Sequence, residues 1–219
     1  MIRSIPNPPM GRDDIVRFRR NLEKHFRGDF SVEEKTPFSD IDFRIRLMTD
    51  ADYVNMSAFS CGEPALDAFF RAEVRECVEK HYLAAYCALL ESGEIVGAFT
   101  LMNDALMIAG ESEKTDFFDD LRLEADADRV DFFKLQTSYP AINIGHLGIS
   151  EKYQHHGIGT AIIDLVAETF AGYRQAGCQF ITVDSLNNSH TARFYQSNGF
   201  FFQTNKDFFA ATRRMYRIL

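Results

Sequence analysis

Two stretches carry residue types and spacings capable of chemistry. The first is Gln154-His155-His156-Gly157-Ile158-Gly159-Thr160, which lies between an apolar run and a helical stripe. Ala141 to Ser150, bounded by Pro140 and by Glu151-Lys152, has the composition of a buried strand. From Ile158 the apolar residues fall at 158, 161, 162, 165, 166 and 170, one face of an α-helix, with Asp164 and Glu168 off that stripe. A helix starting here leaves its first N–H groups unpaired, and glycines at 157 and 159 keep side chains away from them. With the positive end of the helix dipole, these donors form an anion site, read here as a pyrophosphate seat.

The second stretch follows a strand-like run, Cys178 to Ser185. It reads Asn188-Ser189-His190-Thr191-Ala192-Arg193-Phe194-Tyr195, then Gly199-Phe200. Other glycine turns are excluded by spacing. A P-loop wants GxxxxGK[ST], and neither that spacing nor the lysine is present; a Rossmann turn wants GxGxxG early in the chain, and the third glycine is missing. Cys61 sits among apolar residues, where a cysteine is ordinarily packing and not a nucleophile.

Gln154-x-x-Gly157-x-Gly159, preceded by Leu147-Gly148-Ile149, resembles the acetyl-CoA loop of the GNAT superfamily of N-acetyltransferases. Asn188, Tyr195 and Gly199-Phe200 match the superfamily's downstream pattern, with Thr191 where an alanine is usual. The resemblance implies an α/β fold whose mixed, mostly antiparallel central sheet is flanked by helices and splayed at the central strand. It implies acetyl-CoA as co-substrate and no metal. It places amides of His156 to Thr160, with the Gln154 side chain and His155 nearby, at the pyrophosphate. Backbone groups of Leu147, Gly148 and Ile149 would pair with the pantetheine arm, and Asn188 and Tyr195 would line the coenzyme. Gly145 and Gly148 fit a bulge that splays the strand, and the Leu147 amide would polarise the thioester carbonyl. Tyr195 is the expected proton donor: a phenol of pKa about 10 is protonated at neutral pH and can serve a thiolate of pKa about 8.5. His146 is the candidate base.

The other elements must position these groups. Residues 1–42 read as a helical extension: Pro6, Pro8 and Pro9 break the start, and a helix is expected over Asp13 to His25. Residues 1–35 hold eight basic and six acidic side chains, so a basic arm touching phosphate is the alternative to a packed, solvated helix. Residues 43–219 form the catalytic domain, with Phe43 to Met48 as its first strand. A helix from Pro64 to Lys80 carries Leu66, Phe69, Phe70, Val74 and Cys77 on its core stripe. Tyr82 to Leu90 and Glu94 to Met102 form a hairpin across Ser92-Gly93. An insertion at 108–138 holds nine acids between Glu111 and Phe133 and reads as one or two helices anchored by Phe117, Phe118, Leu121, Phe132 and Phe133. It is a solvated face or the rim of a pocket for a cationic amine. Gln179 to Asp184, Asn188 to Asn198, Phe200 to Gln203 and Arg213 to Ile218 then give strand, helix, strand, strand.

The net charge of −8 over 219 residues gives no general pull toward nucleic acid and favours a small-molecule or peptide amine. Against this, Phe59-x-Cys61-Gly62-x-x-x-Leu66-Asp67-x-Phe69 resembles a toxin-like subgroup whose acceptor is aminoacyl-tRNA. A non-catalytic acetyl-CoA-binding module is the third reading. Four scattered cysteines without a C-x-x-C pair point to reduced thiols in a cytoplasm, and no apolar run is long enough to span a membrane. The resemblance is compatible with a homodimer.

Overall fold

The computed structural model describes residues 39–108, 111–124, 127–204 and 206–219. The helix and basic arm expected near the N-terminus lie outside the described residues. Seven strands form one sheet: β1 Arg44–Leu47, β2 Ala84–Leu89, β3 Ile95–Met107, β4 Ser138–Ile149, β5 Phe180–Leu186, β6 Phe201–Phe202 and β7 Thr212–Ile218. Their order is β1-β2-β3-β4-β5-β7-β6. Every neighbouring pair is antiparallel except β4 and β5, which are parallel.

The parallel ladder is short. Only Ala141–Phe180, Ile142–Ile181 and Asn143–Thr182 are in register. Beyond them β4 stays with β3 as far as Ile149, while β5 stays with β7 as far as Leu186. The sheet therefore forks at its centre, as expected. The register shifts between Thr100, opposite His146, and Leu101, opposite Ile144, which leaves Gly145 as the extra residue of a bulge. A Cβ there would lie 2.6 Å from Met102 Cε. Gly148, grouped with it by the sequence, is no bulge; it pairs in register with Ala98 and lets Cys61 lie against the strand, whose Cβ and Sγ would both stand 3.3 Å from an added Cβ.

At the foot of the fork a polar chain crosses four strands. Asn143 Nδ2 donates to Thr182 Oγ1 (3.1 Å), and the Thr182 hydroxyl donates to Asp104. Arg214 bonds both Asp104 and, at 2.8 Å, Asp184. Asn143 and Thr182 are buried, so these partners satisfy groups that water does not reach. The chain also explains why β3 runs five residues past its expected end: Asn103 and Asp104, poor strand formers, are held by β4 pairing and by Arg214.

The helices are α1 Asp50–Asn55, α2 Pro64–Ala72, α3 Val74–Glu79, α4 Glu111–Glu124, α5 Ala127–Lys134, α6 Ile158–Ala171 and α7 Ser189–Ser197. The single helix expected from Pro64 is split at Glu73, yet Phe70 and Val74 stay buried because the break keeps one face toward the sheet. The buried arc of α6 is wider than its stripe: Ile163 is fully buried, and Asp164 pairs with Arg217 at 3.0 Å instead of standing free in solvent. In the acidic insertion, Phe117, Leu121 and Phe133 pack with Tyr139, Phe180 and Tyr216, whereas Phe132, expected as an anchor, is exposed. Among the described residues no helix is long and apolar enough to cross a membrane.

Candidate active site

The turn expected to bind an anion is built as its glycines require. Gly157 is the N-cap of α6 in the left-handed region, φ 77°, and no side chain caps the helix. Ala161 N donates to Gly157 O (3.0 Å), so the amides of Ile158, Gly159 and Thr160 precede the helical ladder. His155 also has positive φ, 67°, and two left-handed residues fold the turn tightly over the helix mouth. Gly159 has a second reason to lack a side chain: an added Cβ would meet Phe194 Cζ of α7 at 3.0 Å.

A cleft of about 570 Å³ opens over this turn and runs along the fork. Leu147, Gly148, Ile149, Gln154, His155, Gly157, Ile158, Gly159, Thr160, Asn188 and Tyr195 all line it. His156 lies outside its lining and is paired with Asp40, 3.0 Å from Nδ1 to Oδ1. Gln154 has its amide directed elsewhere: Nε2 donates to the carbonyls of Cys61 (2.8 Å) and Ile149 (3.1 Å), bracing the turn against β4. Asn188 is the N-cap of α7, its Oδ1 accepting from Thr191 N at 2.8 Å.

Tyr195 sits on the buried face of α7, its ring 5.1 Å from Phe194 and 5.3 Å from Phe200, centroid to centroid. Its hydroxyl makes no hydrogen bond among the described residues, and burial pushes the phenol's pKa up, so the group keeps its proton. His146 is not in the cleft lining. It stacks on Phe69 (3.5 Å between centroids, 7° between planes) and meets Phe70 edge-on, with Nδ1 3.1 Å from Thr100 Oγ1. Burial lowers its pKa below 6.5, which favours the neutral ring at pH 7.

One part of the site was not assigned from the sequence: the loop Phe59 to Glu63, whose Cys61, Gly62 and Glu63 form a wall of the cleft. Asp67, 6% exposed, holds it by accepting from Cys61 N (2.8 Å) and Ser60 Oγ (2.7 Å). Burial alone would raise the Asp67 pKa, but these bonds and Arg71 outweigh it and keep the carboxyl below its ordinary value. Gly62 supplies the turn with φ 80°. The spacing of Phe59, Cys61, Gly62, Leu66, Asp67 and Phe69 is thus that of a buttress: loop on strand, carboxylate beneath, aromatic stacked on His146. The Cys61 thiol is pushed up to about 11, mainly by burial, which suits packing and not attack.

Residues 121–200 match the family model described as acetyltransferase (GNAT) domain. Among solved structures, a mutant of KacT aligns with TM-score 0.61 and 16% identity over 80% of this chain and 94% of that one. AtaT complexed with acetyl-methionyl-tRNAfMet aligns with TM-score 0.62 and 19% identity over 81% and 95%. AtaTR bound with AcCoA aligns with TM-score 0.56 and 20% identity over 81% and 93%. At these identities the likeness is one of fold. No curated protein matches the chain in sequence.

Proposed function

For a chain that carries a GNAT acetyltransferase domain, we propose direct transfer of the acetyl group of acetyl-CoA to a primary amine. The observation that carries this reading is one cleft joining an uncapped helix mouth at Gly157 to the protonated phenol of Tyr195. The amides of Ile158, Gly159 and Thr160 hold the pyrophosphate, with Gln154 bracing the turn beneath them. Leu147 and Ile149, at the part of β4 that β5 does not pair, offer the backbone to pantetheine as a strand edge would. The amine nitrogen attacks the thioester carbon, a C–N bond forms and the C–S bond breaks. The leaving thiolate takes the Tyr195 proton, which solvent restores. For deprotonating the amine the candidate is His146, whose neutral form burial favours; it stands outside the cleft lining, so the proton reaches it through water.

On net charge alone the acceptor is a small-molecule or peptide amine. A second reading, the α-amine of an aminoacyl-tRNA, draws support from the segment at Phe59 to Phe69 and from the tRNA-bound fold neighbour; net charge is no longer a sufficient reason to set nucleic acid aside. Thiol release from acetyl-CoA across amines, polyamines, peptides and charged tRNA tests both. Release with a simple amine supports the first. Release confined to charged tRNA and falling steeply with salt supports the second. No release with any acceptor overturns acetyl transfer.

A further inference from the structure

The loop between β6 and β7 keeps two aromatic side chains in water. Phe208 is 62% and Phe209 96% exposed, their rings 5.3 Å apart and nearly perpendicular, so that Phe209 turns its faces to solvent. The loop beneath them is firmly held. Asn187 Nδ2 donates to the carbonyls of Phe208 (2.7 Å) and Ala210 (2.8 Å), and Asn187 N to Ala211 O (3.0 Å). Arg213, 6% exposed, donates to Asp207 Oδ1 and to Thr204 O, both at 2.9 Å, and lies 3.7 Å over the Phe202 ring. A buried guanidinium persists only where it is paired, and the partners of this one fix the loop. The residue before Asn187 is Leu186, itself 42% exposed and part of the cleft lining. The aromatic pair is therefore joined to the cleft wall through two consecutive residues of one strand end.

Resting on the acetyl-transfer reading and its aminoacyl-tRNA acceptor, we infer that Phe208 and Phe209 form a stacking platform for the nucleobase of an acceptor that carries its amine on an aminoacyl nucleoside. The patch is two rings, far short of the about 20–30 residues a side in a stable interface between copies, and of a size for one base. Rigid aromatic faces bind bases with little loss of side-chain freedom and tolerate any base, since each has a π-face. Lys206, exposed in the same loop, supplies a cation for the adjoining phosphate.

The test compares two acceptors with the same amine: puromycin, an aminoacyl nucleoside, and O-methyltyrosine amide, its aminoacyl part without the nucleoside. Wild type prefers puromycin in kcat/KM. Phe209→Ala lowers that preference about 5- to 150-fold, the range for loss of one base–aromatic stack, and Phe209→Trp retains it. At 96% exposure neither change disturbs the core. A wild type that acetylates both equally, or a preference unchanged in Phe209→Ala, overturns the platform alone. A preference lost only together with a change in oligomeric state overturns it in favour of an interface between copies. A wild type that acetylates no amine overturns the acetyl-transfer reading, and the platform with it.

Discussion

Removing the carboxylate of Asp67 tests whether the cleft wall is held as its hydrogen bonds imply. Asp67→Ala leaves the half-buried Cys61 amide without its acceptor at 2.8 Å. Ser60 fares better, because its hydroxyl already reaches Glu151 Oε2 at 3.0 Å. The two lost charge-assisted bonds together amount to about 3 kcal/mol. For a chain of this length that is a fall in melting temperature of about 6–12 °C. Asp67→Asn keeps an oxygen for Cys61 N and an amide that Ser60 accepts, so its loss is nearer 1 kcal/mol. Because the folded-state pKa lies below the ordinary 3.8, the contribution is complete above that value and is lost as the pH falls through the folded pKa. The gap between wild type and Asp67→Asn therefore narrows in acid. Thermal melts at pH 7 and pH 3, with acetyl-CoA titrated by calorimetry, read both consequences; the Ala variant is also expected to bind acetyl-CoA more weakly, since Cys61 to Glu63 line the cleft. An Asp67→Ala protein that melts and binds as wild type does would refute the buttress.

Three further outcomes follow from the same geometry. Gly157→Glu forces a side chain into φ 77°, which costs about 1 kcal/mol or more, and sets a carboxylate at the anion site; the fold survives and calorimetry finds acetyl-CoA affinity lost, whereas unchanged affinity refutes the pyrophosphate assignment. Tyr195→Phe removes a hydroxyl that makes no bond among the described residues, so the melting temperature stays close to wild type while kcat falls about 10²- to 10⁴-fold; equal kcat shows the phenol is not the acid. His146 binds its proton at lower pH in the folded chain than in the unfolded one. Stability therefore declines as pH drops below 6.5 and levels off below the folded value; His146→Phe flattens that part of the curve in denaturant titrations, and an unaltered slope would show that His146 does not titrate with unfolding.

The central strand, turn and helix were legible because one stretch holds a short apolar run, two glycines and a clean helical stripe. The α7 segment was legible for a similar reason: Asn188 is a helix cap by type and Tyr195 falls on its buried face. What the sequence hid were long-range relations. The split at Glu73 leaves the apolar spacing undisturbed, so periodicity does not register it. Gln154 looked like a ligand-facing amide, but its partners are carbonyls at Cys61 and Ile149, the first of them more than ninety positions away in sequence. His146 looked like an open titratable group, yet its neighbours Phe69 and Phe70 arrive from another helix. Asp67 falls within the Phe59 to Phe69 motif, but only the folded chain reveals what its carboxylate holds. The platform at Phe208 and Phe209 has no sequence signature at all, since adjacent phenylalanines read as core.

Three in-register pairs are all that couple β4 to β5 in the sheet. Four strands on one side and three on the other thus behave as two leaves joined along a narrow seam, with the polar chain from Asn143 to Arg214 as its rivets. Elastic deformation concentrates where the cross-section is thinnest, and here that is the crotch beneath the cleft. Anything lodged between the leaves would tie them together beyond Asn143, where no strand pairing does so.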